Sequence, residues 1–263
     1  MKNRLTFSTL GAPNLTFEDI LATAQQFGMQ NIELRGVLDK VEINDIPQLR
    51  PENRIQTKAK LDKAGVQICV LGCSAMFHRD TQSALNECVY AIEAAKELNI
   101  PYIRVFGERC ENDEMFKKVV FGLQKVCAGA HGSGVRVLLE AHGDFTTIAL
   151  LQKLFYAVND ADLGLIWDVA HTTRSGEDIK TFAHTMRDFI YHIHLKDYRR
   201  DNSLCLPGDG ILDLQTAVKT LEALDYKGLY SLEWEKRWHS ELPDINDALR
   251  RFVDLPFLPG EKT

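Results

Sequence analysis

The chain lacks any run near the ~20 consecutive apolar residues that a membrane-spanning helix requires. Its opening, Met1-Lys2-Asn3-Arg4-Leu5-Thr6-Phe7-Ser8, carries no apolar leader before a strand-like pattern begins. The expectation is a cytoplasmic protein with no membrane partner. Basic excess is also missing: 31 lysines and arginines face 37 aspartates and glutamates, a net charge of −6. That balance is the opposite of a nucleic-acid footprint, so no nucleic-acid partner is expected. None of the six cysteines forms a Cys-x-x-Cys pair. Cys69 and Cys73 share one strand pattern, which puts them roughly 13 Å apart at ~3.3 Å per residue. That is too far for a disulfide or a shared metal, so reduced and mostly buried thiols are expected. No glycine-rich phosphate fingerprint follows the first strand, where Thr9-Leu10-Gly11-Ala12-Pro13 stands. Low-complexity segments are absent too.

What is present is alternation. Strand patterns fall at Arg4–Leu10, Asn31–Arg35, Gln67–Gly72, Tyr102–Phe106, Val135–Ala141, Leu163–Val169, Phe189–Lys196 and Tyr230–Glu235. Most are apolar on both faces, the mark of a buried parallel strand. Between them lie helical patterns, among them Phe17–Phe27 behind the cap-like Thr16, and Thr81–Leu98 with apolar residues at Leu85, Val89, Ile92, Ala95 and Leu98. Eight strands alternating with helices in 263 residues predict an α/β chain folded as one (β/α)8 TIM barrel over residues 1–263. A doubly wound open sheet is the alternative. The only long insertion, about 37–65, would lie at the mouth of the barrel and cover a substrate.

Four apolar runs end in a carboxylate or an imidazole: Glu140, Asp168, His194 and Glu233. They close strands five to eight, whose C-terminal ends face one mouth of a barrel. Each alone could cap a helix or pair with a lysine. Together they form a shell suited to one divalent ion, Mn²⁺ or Mg²⁺ first, Co²⁺ or Zn²⁺ next. Such an ion binds adjacent oxygens of a hydroxy-carbonyl compound and stabilises the enediolate formed when a neighbouring C–H proton leaves. Glu140 and Glu233 come from non-adjacent strands and could act as the acid/base pair on opposite faces of one carbon. Candidate substrate contacts are His171, three residues beyond Asp168, Lys196 and Arg200 on the loop after His194, and His78 after strand three. Glu33, at the end of strand two, is expected across the barrel from the metal group, holding a sugar hydroxyl. His192, two residues before His194, reads as a hydrogen-bonded core histidine. Trp167 and Trp234 have the opposite parity to the ligands and belong under the helices.

At these residues the chain resembles the xylose isomerase-like TIM-barrel superfamily, which includes sugar phosphate isomerases and epimerases and the family 2 AP endonucleases. The matching segments are Leu139-Glu140, Trp167-Asp168-Val169-Ala170-His171, His192-Ile193-His194-Leu195-Lys196-Asp197, Pro207-Gly208-Asp209-Gly210-Ile211-Leu212-Asp213 and Ser231-Leu232-Glu233-Trp234-Glu235. The resemblance implies that Glu140, Asp168, His194 and Glu233 bind one ion, that Glu140 and Glu233 also move protons, and that His171 and Arg200 touch a small carbohydrate. It implies a metal-dependent isomerase or epimerase of a small sugar, cyclitol or sugar phosphate, and allows a homo-oligomer. A dehydratase or lyase on the same site and a non-catalytic sugar-binding relative are the alternatives. The ketose epimerases carry a further glutamate soon after the first ligand; here Ala141-His142-Gly143-Asp144 stands, leaving Asp144 as the only substitute. The three-zinc ligand set of the AP endonucleases is missing.

Overall fold

The computed structural model describes residues 4–259. Strands β1 (Leu5–Phe7), β2 (Asn31–Leu34), β3 (Gln67–Met76), β4 (Tyr102–Phe106), β5 (Arg136–Glu140), β6 (Leu163–Asp168), β7 (Ile190–Leu195) and β10 (Tyr230–Leu232) form one parallel sheet. Its order is β1-β10-β7-β6-β5-β4-β3-β2. A single parallel bridge between Ser8 and Glu33 brings its ends together. The Thr6 hydroxyl helps by donating to the Asn31 carbonyl at 2.8 Å. The result is the nearly closed TIM barrel that the alternation predicts. Strands β8 (Asp197–Tyr198) and β9 (Leu204–Cys205) are a small antiparallel hairpin in the loop after β7, which the sequence does not announce.

Helices α1 (Phe17–Gln26), α2 (Arg54–Ala64), α3 (Thr81–Leu98), α4 (Asp113–Ala130), α5 (Ile148–Val158), α6 (Val169–Arg174), α7 (Ile179–Met186), α8 (Leu214–Ala223) and α9 (Ile245–Val253) surround it. Local chemistry sets their starts. Thr16 and Asp19 form a reciprocal capping box at α1, and Asn112, Thr147, Asp178 and Asp213 cap α4, α5, α7 and α8. On α3 the buried residues are Ala84, Cys88, Ala91, Ile92, Ala94, Ala95 and Leu98, and Leu85 packs partly against the core, whereas Val89 is 55% exposed. The expected stripe is therefore kept except at Val89, and small side chains beside it widen the face that meets β3 and α4.

Parity along the strands divides the core in two. One set of positions, including Leu139, Trp167, Ile193 and Trp234, packs outward against the helices. Trp167 stacks on Phe182 and donates Nε1–H to Thr172, and the Trp234 indole donates to the Pro243 carbonyl. Both tryptophans therefore lie where the sequence places them. The other set points into the barrel. Cys69, Val70, Leu138 and Ile166 plug its lower end. Above that plug the inward positions turn polar and stay buried: Glu33, Arg104, Glu140, His192, His194 and Ser231. All six cysteines are free, and five are buried. No helix among the described residues is long and apolar enough to cross a membrane.

The insertion after β2 runs through three single turns, Ile43–Asp45, Pro47–Leu49 and Pro51–Asn53, into α2. Its first part leans on the mouth: Arg237 donates to the carbonyls of Leu38 and Asp39, and Arg35 donates to that of Val41. Across the mouth, the loop after β7 is built around the buried Asp197 carboxylate. It accepts amide hydrogens from Tyr198, Gly208, Gly210 and Leu212 at 2.9 to 3.1 Å. A side chain at Gly210 would start 2.1 Å from Asp197 Oδ1, so only glycine allows this wrap.

Replacing Asp197 with Ala leaves these buried amides without their acceptor and is expected to cost about 3 kcal/mol, or roughly 6–12 °C in Tm for a chain of this size. Asp197→Asn, which keeps one acceptor oxygen, loses about half as much. Thermal unfolding followed by circular dichroism checks both; a loss below about 1 kcal/mol in the alanine variant contradicts the role given to this carboxylate.

Candidate metal centre and its cavity

Glu140 ends β5, Asp168 ends β6, His194 lies near the end of β7 and Glu233 follows β10 directly. These strands are consecutive in the sheet, and all four side chains are buried with one donor atom from each within 4.8 Å of the others. Glu140 Oε2, Asp168 Oδ2 and His194 Nδ1 make no hydrogen bond. Buried polar atoms seldom stay unsatisfied, and three aimed at one point fit a cation ligated by oxygen and nitrogen. Asp168 splits its two oxygens. Oδ1 accepts the His171 amide at the start of α6, and Oδ2 faces the cluster. The capping role and the ligand-type role thus coexist on one residue.

Glu33 is placed differently from the expectation of a substrate contact across the barrel. Its Oε2 lies 2.9 Å from His194 Nε2, 3.3 Å from His192 Nε2 and 3.0 Å from the Ser231 hydroxyl. It is 1% exposed, beneath the cluster rather than facing the mouth. The inward parity of β2 and the narrow barrel interior carry its carboxylate to the opposite wall. A carboxylate on the far nitrogen of a ligating imidazole fixes ring orientation and tautomer, turning His194 Nδ1 toward Glu140 and Glu233 at 3.7 and 3.4 Å. His192 is the hydrogen-bonded core histidine its position suggests.

Lys196 enters the cluster itself. Its ammonium donates to Glu233 Oε2 at 2.7 Å and Glu235 Oε1 at 2.6 Å, and lies 3.0 Å from Asp168 Oδ2 and 3.2 Å from His171 Nε2. Burial alone would raise the carboxyl pKa values and lower those of the imidazole and ammonium. The mutual charges prevail. Burial and Glu233 push Glu140 up, but Arg104 and His194 outweigh them and hold it at about 2. Against burial, Lys196 and His194 hold Glu233 well below the usual carboxylate range. Burial opposes, yet Glu33, Glu233 and Glu140 hold His194 well above the ordinary imidazole value. With no cation bound, these charges favour the protonated forms of His194 and Lys196; a cation among the carboxylates would take over that task and compete with a proton on His194.

Four further expectations can be compared with the structure. His171 sits beside the cluster, its ring 4.5 Å from that of His142. Arg200 is exposed and lines neither cavity, because the β8–β9 hairpin turns the chain outward; Arg199 lines the outer cleft instead. His78 is buried under the loop after β3 and also lines neither cavity, so the structure does not bring it to the site. Asp144 accepts the Cys110 amide at 2.7 Å and ties the β5 loop to the β4 loop, so it does not replace the auxiliary glutamate.

A cavity of about 130 Å³ opens directly above the cluster, lined by Arg35, Arg104, His142, Glu140, Glu233 and Trp238, among others. Beside it a cleft of about 770 Å³ runs outward past His171, Arg174, Arg199 and Glu235. Arg35, Arg104 and Trp238 are absent from the sequence reading. Arg104 could have been found: a charge in the middle of Tyr102-Ile103-Arg104-Val105-Phe106, whose other face is apolar, must point into the barrel. Arg35 has the same parity as Glu33. Trp238 lies in a turn with no periodic signal.

An eight-stranded parallel barrel with a buried carboxylate–imidazole cluster at the C-terminal ends of four consecutive strands defines the class. The chain matches the xylose isomerase-like TIM barrel family over residues 21–255 and belongs to it. Among curated proteins it is similar to the inosose dehydratase of Glaesserella parasuis serovar 5, 26% identical over 225 residues that span 71% of this chain and 75% of that protein. Among solved structures, the probable 3-DHS dehydratase AsbF of Bacillus anthracis superposes with a TM-score of 0.79 at 17% identity, covering 96% of this chain and 99% of that one. The IolI protein, crystallised with a zinc atom, superposes with a TM-score of 0.77 at 19% identity over 94% of both chains.

Glu33→Ala is expected to lower the affinity for a divalent ion about 10–100-fold while leaving the barrel folded, because the ligating imidazole loses the group that orients it. Competition with a metal-binding dye reads this directly. Unchanged affinity would remove Glu33 from the site's support.

Proposed function

We propose that this protein is a divalent-metal-dependent enzyme that removes and returns a proton beside the carbonyl of a small polyhydroxylated substrate, as an isomerase or epimerase of a sugar, cyclitol or sugar phosphate. The observation that carries this reading is the buried set Glu140, Asp168, His194 and Glu233 with its three unsatisfied atoms under an open cavity. These four residues would hold the ion, and the zinc atom in IolI supports a metal at such a site. A divalent ion there supplies Lewis acidity to adjacent substrate oxygens and so makes the neighbouring C–H proton removable.

The chain's own groups do the rest. Glu140 and Glu233 line the cavity from strands three places apart in the sheet, and both are held ionised, as a proton acceptor must be. Lys196 holds Glu233 in place through Oε2, and its ammonium can offset negative charge that develops on the substrate oxygens when a carboxylate takes up the proton. His171 stands where the inner cavity meets the outer cleft and can contact a substrate oxygen. The cleft offers room for the part of the substrate that does not react. The lower plug of Cys69, Val70, Leu138 and Ile166 closes the barrel beneath the site.

A second reading, dehydration, is favoured by the curated relative, an inosose dehydratase. It uses the same proton removal and then expels hydroxide from the next carbon. Exchange of substrate hydrogen in deuterated water, with mass analysis of the product, separates the two: retained mass with deuterium uptake means isomerisation or epimerisation, and loss of water means dehydration.

Both readings predict that Glu140→Gln and Glu233→Gln each lower turnover by about 10²–10⁴-fold, and that chelation abolishes it until a divalent ion is restored. A screen of ketoses, inososes and sugar phosphates by hydrogen exchange provides the assay. Full turnover surviving in both variants would sink the metal-centred reading.

A further inference from the structure

We propose that Arg35 and Arg104 form an oxyanion subsite beside the metal centre, and that the substrate carries a carboxylate or phosphate in addition to its hydroxyls. This inference rests on the proposed reading of the same cavity as the place where substrate binds.

Both guanidiniums line the inner cavity and both are buried, 9% and 3% exposed. A buried arginine normally carries a carboxylate partner. The nearest carboxylate to Arg104 is that of Glu140, whose Oε2 lies 3.3 Å from Nη1 without forming a hydrogen bond, and Arg104 Nε makes no hydrogen bond. Its guanidinium lies over the Phe106 ring, 4.0 Å from the centroid. Glu140 also belongs to the metal cluster, so a bound cation would compete with Arg104 for it; Glu87 and Glu42, gathered on Ser74 behind the pair, act on the arginines without a direct hydrogen bond. Arg35 is held from behind, donating to the Val41 carbonyl at 2.9 Å and the Ser74 hydroxyl at 3.1 Å, both neutral. Burial and then the repulsion of Arg104 push Arg35 down to about 10.

The backbone has been cut to fit this pair. Gly72 of β3 lies between them: a side chain there would start 2.6 Å from Arg35 Cδ and 2.9 Å from Arg104 Nη2. Two like charges lie side by side in the cavity wall, admitted by a glycine and hydrogen-bonded from behind only by neutral acceptors; Glu87 and Glu42 offset them from the far side, and the face toward the cavity has no anion except Glu140. Sugar hydroxyls can accept hydrogen bonds from guanidinium but do not offset its charge. A carboxylate or phosphate does both, and the planar donor fork matches either group.

The test is calorimetric binding to the Mn²⁺-loaded full chain with three probes on one sugar frame: D-glucose, D-glucuronate and D-glucose 6-phosphate. The expected result is that at least one acid binds about tenfold or more tightly than glucose, and that Arg104→Gln and Arg35→Gln each bring the ratio of acid to glucose affinity close to one. The preferred acid identifies the group, carboxylate or phosphate. Gly72→Ala, which displaces both side chains without removing a charge, provides the same readout should an arginine variant fail to fold. Acids that bind no better than glucose, acids that do not bind at millimolar concentration, or a preference that survives in the folded variants overturns the subsite. Metal content of the same samples, measured by mass spectrometry, tests the metal-centred reading separately. Acid preference without stoichiometric metal refutes that reading alone, and metal without acid preference refutes the subsite alone.

Discussion

Three carboxylates and one imidazole, buried within 4.8 Å of one another, cannot stand without compensating positive charge. Much of what surrounds the mouth of this barrel answers that constraint. Lys196 reaches Glu233, Glu235 and Asp168; Arg104 approaches Glu140; His194 keeps a proton between Glu33 on one side and Glu140 and Glu233 on the other. One atom each on Glu140, Asp168 and His194 has charged neighbours but no hydrogen bond, which marks where the compensation is incomplete. A divalent ion would complete it and turn an expensive arrangement into a reactive one.

The fold provides the constraint through parity. In a closed parallel barrel every second residue faces inward, and nothing else can fill the interior. The lower inward layer is apolar and closes the floor. The next layer is polar, with Glu33 joining His192, His194 and Ser231 across the barrel. The uppermost positions open into the cavity. Loops then fix the rim: Asp197 gathers four amides of the loop after β7, Asp144 ties the β5 loop to the β4 loop, and Arg237 clasps the insertion after β2. These contacts hold the walls of the cavity without entering it.

The barrel itself was legible, because apolar runs with turn residues between them report parallel strands directly. The four-residue cluster was legible for the same reason: each member closes or directly follows one such run. What escaped depends on distances across the barrel. Glu33 was placed on the correct strand and face, but sequence does not tell how far a glutamate reaches across a barrel interior, so its contact with His194 was missed. The sequence points to Arg200 and not to Arg199, because the hairpin that turns the loop outward has only two residues in each strand and leaves no periodic signal. Arg104 carried a usable signal, a charge of inward parity in an otherwise apolar strand, whereas Trp238 and Arg35 gain their importance only from neighbours distant in the chain. Val89 shows the converse limit: it fits the apolar period that correctly buries Ile92, Ala95 and Leu98, yet it lies on the exposed edge of α3.

The central claim is that one divalent ion sits among Glu140, Asp168, His194 and Glu233. Anomalous diffraction from crystals of the Mn²⁺-loaded protein, recorded at the manganese edge, tests it most directly. The account predicts one strong peak per chain within bonding distance of all four side chains. A cluster without a peak, or a sole peak at another group such as the exposed His131 with the half-buried Asp160 and Asp162, would contradict it.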